Sequence, residues 1–139
     1  MRWRFEHSAE SSASPADVWR RYLDVEHWHE WSRNGVVWSR LDGPFQVGSK
    51  GRSKPPGLPA ARFRLVEVMP ERKFATETRM PGARIVFEHE IEPTEAGVRI
   101  THRGSVDGML GPLYVLFIRR SVERSLPDGV DRLAAMSGE

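Results

Sequence analysis

The sequence predicts an α+β domain in the order β-α-α-β-β-β-β-β-β-α: seven strands, two short helices after the first of them, and a helix at the C-terminus. Three observations carry this. Apolar and polar residues alternate at period two in residues 2–9 and again from Ile85 to Gly104, the mark of half-buried strands. After the first strand, Ser14-Pro15 opens a stretch with helical spacing that closes on Trp28 and Trp31. From Met109 onward the apolar period lengthens to between three and four, as in a helix lying on a core.

In the first strand Trp3, Phe5, His7 and Ala9 fall on one side, and Arg2, Arg4, Glu6 and Ser8 on the other. Ser14 can cap the next helix because its hydroxyl accepts from a free backbone N–H. Pro15 suits a first turn whose N–H groups lack partners, and Asp17 stands where the acid of a capping box belongs. Val18, Trp19, Tyr22 and Leu23 form the apolar stripe of this helix. Asp24 reads as the cap of a second helix, with Trp28 and Trp31 three apart on one face. Ser32-Arg33-Asn34-Gly35 is turn chemistry. Strands follow at Val36 to Leu41, Gln46 to Ser53 and Arg62 to Met69. Asp42-Gly43-Pro44 ends the first of them. Pro55-Pro56-Gly57-Leu58-Pro59 separates the other two, because its prolines lack the donors a ladder needs.

The last three strands can be placed in register. Phe74, Thr76 and Thr78 share a face before the turn at Met80 to Ala83. Ile85, Phe87, His89 and Ile91 alternate against Val86, Glu88, Glu90 and Glu92, and after a turn Val98, Ile100, His102 and Gly104 alternate against Arg99, Thr101 and Arg103. A hairpin centred on Glu95-Ala96 sets Glu92 against Arg99 and Glu88 against Arg103 outside, and Ile91 against Ile100 inside. Opposite charges and apolar pairs of this kind fix register. His89 then faces His102. A hairpin centred on Pro81-Gly82 sets Phe74 against His89 and Lys73 against Glu90. From Met109, Leu113, Leu116, Phe117, Val122, Leu126, Val130 and Leu133 make one apolar side of a helix, in which Pro127 predicts a kink or a restart with Ser125 as a new cap.

The 139 residues show no repeat or linker and suit one domain over 1–139. A chain of this size buries roughly two thirds of its unfolded surface. It has no cysteine, which fits a reducing compartment. The start, MRWRFEHS, lacks the apolar core of a signal peptide, and the apolar run Leu110 to Ile118 is too short to span a bilayer. The expectation is a cytoplasmic protein without stable membrane insertion. Although the pI is 9.4, the net charge is only +2, and arginines interleave with glutamates. That pattern is a solvated face rather than a nucleic-acid footprint. No Gly-x-Ser-x-Gly elbow or phosphate-cradling loop occurs, since Gly48-x-x-Gly51 lies in a hairpin.

The motifs in this order resemble the helix-grip fold of the SRPBCC superfamily, which groups START, Bet v 1-like and polyketide cyclase/dehydrase proteins. The residues that carry the resemblance are Ser14-Pro15-x-x-Val18-Trp19, Asp24-x-x-x-Trp28-x-x-Trp31, Gly43-Pro44-Phe45-x-x-Gly48-Ser49, Glu67-Val68-Met69-Pro70, and Thr101-His102 followed by Gly108. The resemblance covers nearly the whole chain. It implies a curved seven-stranded antiparallel sheet around the C-terminal helix, two small helices closing one end, and a cavity between sheet and helix for lipids, sterols, polyketides or hormones. Its mouth would be formed by Arg33 to Gly35, Lys54 to Ala61, Met80 to Ala83 and Val106 to Gly111. The superfamily shares no single chemistry.

On that fold the candidate ligand contacts are Trp28, Trp31, Phe74, Thr76, Phe87, His89, His102 and Phe117. The tryptophans also fit a plainer role as an apolar plug. His89 and His102 are the candidate acid–base groups. They fit either two hydrogen-bonded histidines in the core or a polar stripe that orients a ligand carbonyl or hydroxyl. Adjacent imidazoles disfavour double protonation, so one stays neutral near pH 7. His7 joins them if the first strand pairs beside the last. Glu67 follows Phe63 and Leu65 at period two, which points it inward, but Val66 and Val68 compete for that face, and a strand bulge would decide between them. The spacing of the three histidines matches no zinc motif, so neither a metal nor a cofactor is expected.

Three functions follow as expectations. The first is a carrier or sensor of a small hydrophobic ligand, lipid- or polyketide-like, acting as a monomer or homodimer. The second is a cyclase, dehydratase or isomerase working on a polyketide-like ketone through His89 and His102. The third is an interaction module whose basic hairpin face (Lys50, Arg52, Lys54, Arg62 and Arg64) docks onto an acidic partner or a membrane surface.

Overall fold

In a computed structural model of the chain, which describes residues 3–138, Ser14 Oγ accepts from the Asp17 N–H and the Asp17 carboxylate accepts from the Ser14 N–H, each at 3.2 Å. This capping box starts α1 (Pro15–Leu23). A 3-10 helix follows (Val25–Glu30). Asp24 does not cap it. Its carboxylate instead holds His27 Nδ1 at 2.7 Å, and His27 and His29 are both exposed.

The strands are β1 (Trp3–Ser11), β2 (Trp38–Asp42), β3 (Lys50–Lys54), β4 (Ala61–Met69), β5 (Lys73–Met80), β6 (Ala83–Thr94) and β7 (Gly97–Asp107). They form one curved antiparallel sheet in the order β1-β7-β6-β5-β4-β3-β2. Arg2, expected on the outer side of the first strand, lies outside the described residues. β2 starts two residues later than its apolar run suggests, although the Val37 N–H already bonds to Lys54 O. β3 starts four residues late. Gln46 to Ser49 are drawn into a turn in which Ser49 Oγ donates to Pro44 O at 2.6 Å and Gly48 takes a φ of 97°. An L side chain rarely adopts that φ, so glycine is needed there.

Both hairpin registers are as the charges dictate. Glu92 faces Arg99, Glu88 faces Arg103, His89 faces His102, and Lys73 faces Glu90. A bulge between Leu65 and Glu67 turns Glu67 outward, where it pairs with Lys73 at 3.2 Å.

One end of the sheet is closed by α1 and the 3-10 helix. At the other, β3 connects to β4, β5 to β6, and β7 to the long helix α2 (Gly111–Ser137). α2 packs on β1 and β7. It runs unbroken through Pro127, so the expected restart at Ser125 does not occur. Leu126 and Val130 on either side are buried, and that packing outweighs the bond proline cannot make. The apolar side expected of α2 divides in two. Val122, Leu126, Val130 and Leu133 are core, whereas Leu113, Leu116 and Phe117 are exposed. No helix among the described residues is long and apolar enough to cross a membrane.

Candidate functional site

The pairing of four strands places Phe74, His89, His102 and His7 side by side in one row across the inner face of the sheet. β1 contributes because it pairs beside β7, and His7 reaches α2, where its Nε2 lies 2.9 Å from an Asp131 carboxylate oxygen. The centre of the row is dry. His102 is buried, and its Nε2 lies 2.9 Å from the Tyr22 hydroxyl. Tyr22 comes from α1, and its carbonyl accepts from Trp28 Nε1 at 2.9 Å.

Around this polar pair the rings interlock. Phe74 stacks on His89 with centroids 4.0 Å apart and planes 1° from parallel. His89 meets His102 edge to face at 4.6 Å. Trp28 stacks on Phe74, and Trp31 packs edge-on to both histidines. Trp28, Trp31, Phe74 and Thr76 are buried in this cluster, so the space expected between sheet and helix is filled with rings at the closed end. Burial loosens along β6 toward the end that carries the β5–β6 turn. Ile91 is fully buried, whereas His89, Phe87 and Ile85 each keep some exposure. Gly104, directly opposite Phe87, has no Cβ; one would stand 3.0 Å from the Phe87 ring and 3.6 Å from Val122. That gap lets Phe87 and Val122 close over the strand.

Phe117 is not part of this wall. It is 79% exposed, because Val122 sets the face of α2 that meets the sheet and five residues of helix turn Phe117 about 140° away from it.

Burial sets the proton chemistry. Removing an imidazolium from water is costly, and this lowers the pKa of His89 to about 3, with only partial relief from the Phe74 carbonyl and Glu88. Burial first, then His89 and His7, hold His102 well below its usual value. Burial also pushes the Tyr22 phenol well above its own. All three are therefore neutral at pH 7. His89 Nδ1 lies 3.4 Å from Phe74 O. A carbonyl only accepts, so this contact assigns the proton to Nδ1 and leaves Nε2 as a bare acceptor. Trp31 Nε1 is buried without a partner. Tyr22 and Asp131 were not singled out from sequence; the only signal was a phenol inside an apolar stripe, which needs a partner once buried.

On the outer face Glu77 is buried beneath Arg64, Arg79 and Arg84 at 2.9 to 3.3 Å. These guanidiniums, Arg79 foremost, hold its carboxyl below the usual range. The basic hairpin face borders a groove of about 490 Å³. Among the described residues no three His, Asp or Glu side chains are placed to hold a metal ion.

The family described as polyketide cyclase/dehydrase and lipid transport matches residues 2–138. Among solved structures, norcoclaurine synthase from Thalictrum flavum is similar with a TM-score of 0.73 at 15% identity, over 98% of this chain and 86% of that one. The di-domain ARO/CYC StfQ from the steffimycin biosynthetic pathway gives 0.77 at 14% identity, over 99% of this chain and 51% of that one, so the chain spans about half its length. A protein from Mesorhizobium loti, MLL2253, gives 0.72 at 14% identity, over 96% of both chains. At such identities the likeness is one of fold. No curated protein matches the chain.

Proposed function

The chain belongs to the polyketide cyclase/dehydrase and lipid transport family, and from that premise we propose that it binds a small hydrophobic ligand, lipid- or polyketide-like, between the mouth half of the sheet and α2. The observation that carries this reading is His89, an inward-facing imidazole whose contact with the Phe74 carbonyl leaves Nε2 as the acceptor, at the point along β6 where burial begins to loosen. An acceptor in an apolar wall selects a ligand with a hydroxyl or enol to donate to it. Trp31 Nε1, 95% buried as a residue and unpartnered, stands behind the same row. An orphan donor of this kind costs about 1–3 kcal/mol, which a ligand oxygen reaching it would remove.

The ARO/CYC relative favours a second reading, in which His89 and His102 move protons on a polyketide-like ketone. A general base works best with a pKa near the working pH. His89, held at about 3, is far too weak a base for that role while the site is dry. Binding is therefore the leading reading.

The test is fluorescence titration with 2-naphthol and 2-methylnaphthalene, which differ in one donor. The expected result is saturable uptake of both, with 2-naphthol favoured about three- to tenfold, as suits one net hydrogen bond. His89→Phe should abolish that preference while retaining the hydrocarbon. Absence of saturable uptake of either compound by folded protein would refute the reading.

A further inference from the structure

We infer that the mouth end of the fold docks peripherally onto an anionic lipid bilayer, with the first turns of α2 in the interface. This rests on the reading of the protein as a carrier of apolar molecules and names the surface from which it loads. Scattered exposed hydrophobics are normal, but clustered ones mark interaction sites. Eight of the eleven exposed large hydrophobic side chains among the described residues fall in three segments, 37–38, 58 and 109–117. The topology brings all three to this end. Trp38 pairs with Lys54 at the start of the β3–β4 loop that carries Leu58. The Leu110 N–H bonds to Gly82 O in the β5–β6 turn.

The side chains in the turn before α2 and in its first turns protrude. Met109 is 92% exposed, and Leu116 and Phe117 are each 79% exposed.

Charge selects the occupant. Arg120 and Arg124 continue the stripe at helical spacing beyond Phe117, and neither makes an ion pair among the described residues, whereas Arg119 is taken by Glu123 at 3.2 Å. The stripe itself carries no carboxylate, so a second copy docked on the same face would offer these cations no opposite charge. An anionic bilayer accepts the apolar side chains and supplies the opposite charge to arginines one turn behind them. Because no described helix can span a membrane, the contact is peripheral.

The test is co-sedimentation of the full chain with vesicles of phosphatidylcholine alone and of phosphatidylcholine doped with phosphatidylserine, with 2-naphthol uptake measured in parallel without vesicles. Binding to the anionic vesicles is expected, weakening with salt. It should fall about tenfold or more in the double variant Leu116→Ser/Phe117→Ser, whose exposed positions leave thermal unfolding unchanged, and it should fall again in Arg120→Glu/Arg124→Glu. Three results would overturn docking: folded protein that ignores both vesicles, binding indifferent to the serine substitutions, or a wild-type dimer that those substitutions dissolve. Uptake of 2-naphthol without vesicle binding removes docking and leaves the carrier reading intact. Vesicle binding without uptake supports docking and removes the carrier reading.

Discussion

The two ends of the inner space differ in what fills them. At the closed end, Tyr22, Phe74, Ile91, Ile100 and Leu133 have at most 2% of their surface exposed, and every ring has aromatic neighbours. At the mouth, Phe87 and Ile85 keep partial exposure, and the first turns of α2 carry Leu113, Leu116 and Phe117 on the outside. One helix thus serves two purposes: its C-terminal half is core, and its N-terminal half presents apolar surface outward. The tightest ring packing is concentrated at one end, the recognition we propose lies toward the other, and His89 stands between them.

Paired truncations test this division most strongly. Phe74→Ala removes a fully buried ring from the centre of the cluster and should cost about 3–5 kcal/mol in chemical denaturation. Next in size is the response to acid. His89 and His102 have folded-state pKa values below 6.5, so the unfolded chain binds more protons between the two values. Their contribution is complete above 6.5 and is lost as pH falls. From pH 7 to pH 5 His89 alone should lose about 2 kcal/mol, with His102 adding to the loss and His102→Gln flattening the dependence. Asp24 raises His27 instead, so its contribution grows as pH falls from 7 toward 6.5 and is complete below that, opposing the loss only at the top of the window. The carboxylates Glu77 and Glu88, lowered from 4.5, respond mainly below the window.

Tyr22→Phe should cost about 1–3 kcal/mol, because it strips a buried imidazole of its partner, and should leave the unfolding slope unchanged. Phe117→Ala, at the exposed end, should change stability by no more than about 0.5 kcal/mol. A large effect there would mean that the two halves of α2 are not distinct in solution.

Much of this was legible in the chain because it is written in pairs. Glu92 with Arg99 and Glu88 with Arg103 fixed the β6–β7 register, and that register alone set His89 against His102. The capping box was legible for the same reason, since Ser14 and Asp17 answer each other within one turn. Features that depend on distant partners were not. Apolar spacing shows which side of α2 is apolar but not where the sheet stops covering it, so Phe117 read as wall and stands outside. Pro127 read as a break because local chemistry cannot weigh the packing of Leu126 and Val130. Of the site, the histidine row was foreseeable. Its Tyr22 partner was not, since that bond joins residues 80 positions apart.

The central claim is that a neutral His89, with its proton on Nδ1, offers Nε2 to a ligand donor where the packing of β6 loosens. Nitrogen-15 NMR of the histidine rings with added 2-naphthol tests it most directly. The account predicts that His89 at pH 7 is the neutral tautomer protonated at Nδ1, and that its Nε2 resonance moves on titration while His102, shielded behind Tyr22, shifts little. A His89 that titrates near 6.5, or an Nε2 resonance unmoved at saturating 2-naphthol, would contradict it.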